Sequence, residues 1–92
     1  HDYAHNLGTG GLFLASERIF REGDEFEIDF LVPRVDANMK CLARVAWLNE
    51  AKKMKRPDLP PGAGLEFVDL DKENRYLLQK FVLDSARMQL SK

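Results

Sequence analysis

The chain has 92 residues, with 14 Lys and Arg against 15 Asp and Glu and a formal net charge of −1. That length supports one domain with a single core and leaves little for a deep catalytic cleft beside it. The charge balance excludes a global field that would draw the chain onto nucleic acid or a membrane surface. The single cysteine, Cys41, excludes an internal disulfide, and a lone thiol fits a reducing cytoplasm. Neither a signal peptide nor an apolar run of membrane-spanning length occurs. A start at His1 without a methionine reads as a processed or excised piece, N-terminally truncated.

Residues 1–5 are polar and aromatic without a period and read as the tail of an earlier element. Asn6-Leu7-Gly8-Thr9-Gly10-Gly11 then gathers three of the six glycines. Such a cluster permits positive φ and exposes backbone N–H groups, and Asn tolerates the left-handed region. It is either a tight turn that launches a strand or a loop that receives an anion. Residues 11–16 read as the first clear strand, and 17–21 as a connection with Ile19 and Phe20 as core anchors. Glu22-Gly23-Asp24 reads as a turn.

Glu25–Val32 gives the cleanest signal. Phe26, Ile28, Phe30 and Val32 alternate with Glu25, Glu27 and Asp29, Leu31 being the exception, which predicts a half-buried antiparallel strand. Pro33 closes it, and residues 34–38 have the length of a hairpin connection. In residues 39–48 both faces are apolar, so this strand is expected to be more central. Trp47 falls in register with Val45 and Cys41, as core first and ligand platform second. Residues 49–61 form a polar loop carrying Lys52, Lys53, Lys55 and Arg56, followed by Pro57, Pro60 and Pro61. Gly62-Ala63-Gly64 leads into a short strand over 65–68. Asp69 or Asp71 suits an N-cap. Leu77, Leu78, Phe81, Val82, Ala86 and Met88 then recur at helical spacing over about residues 71–90, with Arg87 and Lys92 suited to the C-terminal end. Strands over 11–68 followed by one helix predict a mainly β barrel with a C-terminal helix packed on it.

The sequence offers no catalytic constellation. His1, Asp2 and His5 form a conceivable metal set lacking a fourth ligand, and the reading assigns no metal or cofactor. Cys41 falls on an apolar strand face, where a thiol behaves as a small hydrophobe. The acidic set Glu22, Asp24, Glu25, Glu27 and Asp29 suits calcium less well than the solvated face of a strand. Lys52, Lys53, Lys55 and Arg56 form either a solvated run or a contact for phosphates or an acidic partner. No second basic stripe or exposed aromatic ladder suits nucleic acid.

Taken in order, these stretches resemble the PilZ domain. Asn6-Leu7-Gly8-Thr9-Gly10-Gly11-Leu12-Phe13 resembles its [D/N]-x-S-x-x-G turn, and Glu22-Gly23-Asp24 precedes an alternating strand closed by Pro33. Ala43-Arg44-Val45-Ala46-Trp47 resembles the x-V-x-W strand, and Pro61-Gly62-Ala63-Gly64-Leu65-Glu66-Phe67 the P-G-x-G-h-x-F stretch. The likeness covers nearly the whole chain as one domain, residues 1–92, and is similar to the paralogues of deltaproteobacteria such as the myxobacteria. The resemblance implies a six-stranded antiparallel split barrel with a C-terminal helix, its first strand expected to lie upstream of this chain. An open edge there would invite a homodimer. The resemblance also implies a non-enzymatic receptor for cyclic di-GMP that regulates a partner protein or domain in bacterial signalling or motility. In that family the nucleotide is held by the turn and by an R-x-x-x-R segment, whose guanidinium forks suit phosphate and the Hoogsteen edge of guanine.

The matching ligand positions are Asn6, Gly8, Thr9, Gly10 and Gly11. Gly8 replaces the serine of the motif, so a hydroxyl is missing, and no R-x-x-x-R precedes Asn6. The expectation is therefore an adaptor working through protein–protein contacts, with weak or no nucleotide binding. The alternative is a working receptor whose arginines lie upstream of His1.

Overall fold

The computed structural model describes residues 3–32, 34 and 36–90, with Tyr3 and residues 84–90 described by their backbone alone. Pro33, Lys92 and the His1 and Asp2 of the metal set lie outside the described residues. Five strands precede one helix: β1 (Tyr3–His5), β2 (Gly11–Ala15), β3 (Glu25–Val32), β4 (Ala37–Asn49), β5 (Gly62–Asp69) and α1 (Lys72–Leu90). They form one sheet in the order β1-β2-β5-β4-β3, antiparallel at every junction. The sheet curls into a half-barrel, a mainly β split barrel in which the described residues supply five of the six expected strands.

Residues 3–5 are more than a tail. Tyr3, Ala4 and His5 pair with Ala15, Leu14 and Phe13, so the stretch lacks an apolar period simply because it is too short to show one. Longer strands also replace loop ends. β4 runs from Ala37, directly opposite Val32, which leaves a four-residue hairpin connection, 33–36. β5 begins at Gly62 and not at Leu65, because Ala63 and Gly64 extend the ladder opposite β2 and β4.

The inner face of the half-barrel buries Leu12, Ala43, Val45, Ala63 and Leu65, with Phe26, Ile28 and Phe30 packed against them. The alternation in β3 holds as read, since Glu25, Glu27 and Asp29 are exposed while Phe26, Ile28 and Phe30 are half-buried. On the outer face, Arg44 bridges Glu25 at 2.7 Å and Glu66 at 3.1 Å across three neighbouring strands. These pairs are exposed, so they fix register more than they add stability. A second cluster, Val32, Met39, Cys41, Leu70 and Leu78, seats the helix on the end of the sheet. Asp71 is the cap, accepting from the Asn74 N–H through Oδ1 at 2.8 Å. Leu78 is fully buried, Leu77 and Phe81 pack against the same cluster, and Val82 is half-buried. Ala86, Arg87 and Met88 lie where only the backbone is described.

Cys41 is 5% exposed within this second cluster. Burial pushes its thiol above the ordinary range, and the nearby Asp69 carboxylate adds to that. Its contribution to stability is therefore complete below the ordinary thiol range and is lost as pH rises through the elevated value. A disulfide reagent at pH 8 is expected to leave Cys41 unmodified in the folded chain and to label it fully in denaturant. Rapid labelling of the folded chain would contradict the packing.

Candidate functional site

The turn at residues 6–11 is built differently from the way its glycines suggest. Asn6 carries the positive φ, at 54°, and among the described glycines only Gly23 does so, at 90°. The turn closes where the Gly8 N–H donates to the Gly11 carbonyl at 3.0 Å, and the Phe67 N–H donates to the Gly10 carbonyl at 2.9 Å. Gly8 and Gly10 face open space, with nothing within 4 Å of a Cβ built on either. Gly11 is the position that needs glycine, because a Cβ there would stand 2.0 Å from the Leu65 carbonyl oxygen.

Trp47 is not in the core register expected from the sequence. Val45 pairs with Leu65 but Trp47 with Gly64, so a β-bulge at Ala46 inserts one extra residue. The extra residue turns Trp47 onto the outer face and brings Leu48 inward against the core. Trp47 lies over Gly64, whose missing Cβ would be 1.8 Å from the indole Nε1, and meets Phe13 with ring centroids 5.4 Å apart. Phe13 in turn meets His5 at 6.3 Å. An aromatic row thus crosses the outside of β4, β5, β2 and β1.

The loop at residues 50–61 folds over this row because Asn49 pins it. Asn49 is 1% exposed. Its Nδ2 donates to the carbonyls of Arg56, Leu59 and Pro60 at 3.0, 3.2 and 3.0 Å, and its Oδ1 accepts the Arg56 N–H at 2.9 Å. Sequence reading placed Asn49 in the loop and missed this role. The available signal was an amide side chain at the junction of a strand and a long loop that must be anchored somewhere.

A cleft of about 310 Å³ results, lined by Asn6, Gly10 and Gly11 on one side, Trp47 and Gly64 on the floor, and Arg56 and Leu59 on the other side. The structure therefore brings part of the turn and Arg56 to one place. Gly8, Thr9, Lys52, Lys53 and Lys55 do not line the cleft. Lys55 instead reaches Glu22 at 3.6 Å. Arg56 is already engaged by Asp58 through two bonds, Nε to Oδ1 at 2.9 Å and Nη2 to Oδ2 at 2.6 Å. That fork holds the Asp58 carboxyl below its usual range and raises the guanidinium further. A larger cleft, about 380 Å³, lies at residues 16–20, 48–51 and 61–62 and contains no residue of the 6–11 turn and none of Lys52, Lys53, Lys55 and Arg56.

Among the described residues, no three His, Cys, Asp or Glu side chains gather as a metal set, and no helix is long and apolar enough to cross a membrane. A family model described as PilZ domain matches residues 1–84. No curated protein and no solved structure matches the chain.

Proposed function

The chain belongs to the PilZ domain family, and on that premise we propose that residues 1–92 form one non-enzymatic adaptor domain of cytoplasmic cyclic di-GMP signalling, with a weak hold of its own on the nucleotide. The observation that carries this reading is the state of Arg56. It is the guanidinium that shares a cleft with the Asn6–Gly10–Gly11 side of the turn, and Asp58 occupies its fork. Gly8 lacks a hydroxyl and residues 1–5 carry no arginine, so residues 1–92 by themselves forgo at least two charge-assisted bonds to the nucleotide. At about 1.5–3 kcal/mol each, that loss weakens binding by roughly two to four powers of ten. The exposed Lys52, Lys53 and Lys55 then serve as contacts for an acidic partner surface, and no cofactor is needed.

A second reading has support of its own. The turn is already formed, with Asn6 in the left-handed region and the Gly8–Gly11 bond closed. Asn6, Gly8, Thr9, Gly10 and Gly11 would then be half of a receptor site completed by arginines preceding His1.

Calorimetric titration of this chain with cyclic di-GMP tests the first reading. No binding is expected at micromolar concentrations, and micromolar affinity overturns it. Gly8→Ser fits the open space at that position and is expected to change stability by less than about 0.5 kcal/mol. A gain of tenfold or more in affinity from this substitution would favour the receptor reading. Reversing the charges of Lys52, Lys53 and Lys55 is expected to abolish capture of a cellular partner, and unchanged capture counts against the loop as its contact.

A further inference from the structure

Ile19 takes no place in the core. The sequence suggests it with Phe20 as a core anchor, and the structure seats only Phe20, which stacks on Phe26 with ring centroids 5.8 Å apart and packs against the inner cluster. Ile19 is 96% exposed. A single exposed apolar residue on a slack loop would mean little. The strap that carries Ile19, residues 16–24, is instead pinned at both ends. At one end the Ser16 N–H donates to the Pro61 carbonyl at 3.2 Å, and Ser16 Oγ accepts the Arg18 N–H at 3.1 Å. At the other, the Arg21 N–H donates to Asp24 Oδ2 at 3.2 Å. There the Gly23 N–H also donates to the Val45 carbonyl and the Val45 N–H to the Asp24 carbonyl, both at 2.8 Å. The fold thus holds an apolar side chain in water at a fixed place.

The cleft of about 380 Å³ opens beside it, with Ile19 at the lip and Phe20 and Leu48 in the lining. A knob and a hollow on one face are self-complementary. A second copy turned through 180° can place each knob in the other's hollow. Charge favours the same occupant. Glu17, Arg18, Arg21 and Glu22 put both signs on the strap, and Glu50 lines the cleft. Across a two-fold axis each carboxylate–guanidinium contact is made twice. A partner surface of one sign would meet like charge here whichever sign it carried. The carboxylates of β3 and the lysines Lys52, Lys53 and Lys55 are each of one sign, so two copies meeting at either would repel.

We propose that this face is a self-association surface, in which Ile19 of each chain seats in the cleft of a second copy of the same chain. The contact needs no strand edge and no nucleotide. The Lys55–Glu22 bridge, at 3.6 Å, ties the basic loop to the strap. On the adaptor reading, the pair would therefore offer two basic loops to one acidic partner and gain avidity. The contact itself does not depend on that reading.

Sedimentation equilibrium of the 92-residue chain, up to about 1 mM, is expected to show a reversible monomer–dimer equilibrium. Ile19→Asp should raise the dissociation constant about tenfold or more without lowering the melting temperature, since the side chain is already in water. Ile19→Leu should keep the association. Oxidation of mixed chains with copper phenanthroline, one chain Ile19→Cys and the other Ala51→Cys, should join them by a disulfide, because Ala51 lines the cleft. A Thr9→Cys chain should not be joined to Ile19→Cys above background. A monomer at every concentration overturns the proposal. So does a dimer unaffected by Ile19→Asp, which would put the contact elsewhere, or equal cross-linking through Thr9→Cys. Neither nucleotide nor partner enters the measurement, so a failed contact and a failed adaptor reading remain distinguishable.

Discussion

Gly11→Ala is expected to lower the melting temperature by about 12–24 °C, corresponding to about 3 kcal/mol in a domain of this length. The new Cβ would stand 2.0 Å from the Leu65 carbonyl oxygen, 3.0 Å from its carbon and 3.1 Å from the Glu66 Cα. All three atoms are backbone, so no rotamer change relieves the contact, and the β2–β5 ladder itself must move. Movement there is costly because Leu12 and Leu65, which pair one step further along, are both buried core residues. The same displacement would pull the Gly10 carbonyl from the Phe67 N–H and open the turn beside the cleft. Gly10→Ala is the matched control. Its Cβ meets nothing within 4 Å and its φ is not positive, so its melting temperature should stay within a few degrees of the parent's. Thermal unfolding followed by circular dichroism compares the two, and equal melting temperatures would show that the strands can separate freely at this point.

The contrast between Gly10 and Gly11 shows where sequence reading stops. A glycine cluster announces a turn, and the turn is there. Which glycine is required depends on a carbonyl more than fifty residues away, and no local pattern contains that. The alternation in β3 was legible because each side chain faces either the core or water, a distinction composition records directly. Trp47 was misplaced because its register passes through a bulge at Ala46, and one extra residue reverses inside and outside for everything beyond it. The cleft was half legible. The turn and the basic loop both stood out, but their meeting through Arg56, without the three neighbouring lysines, follows from how Asn49 anchors the loop.

Asn49→Asp is expected to be more damaging at neutral pH than Asn49→Ala, although it is the closer isostere. The amide matches its surroundings in a directional way, with two N–H donors shared among three carbonyls and one oxygen facing the Arg56 N–H. Alanine leaves these groups without their partner. At about 1–3 kcal/mol for each buried group that finds no water, a loss of about 3 kcal/mol or more follows. A carboxylate would keep the Arg56 N–H but place negative charge against the carbonyls of Arg56, Leu59 and Pro60 in a position 1% exposed. Its folded pKa must therefore rise above the unfolded value, which is about 4. The sign follows from that elevation: stability is retained below the unfolded pKa and lost as pH rises through the folded one. The acidic variant should thus regain stability between pH 7 and pH 4, relative to the parent measured at each pH, while the alanine variant shows no such recovery. Denaturant unfolding at the two pH values reads this directly, and a pH-independent deficit in Asn49→Asp would mean that the site admits water. Both variants should also release residues 50–61 from the outer face, so that Arg56 no longer shares a cleft with the turn. Loss of amide protection at Arg56, whose N–H has Asn49 as its acceptor, would report that release before the fold itself is lost.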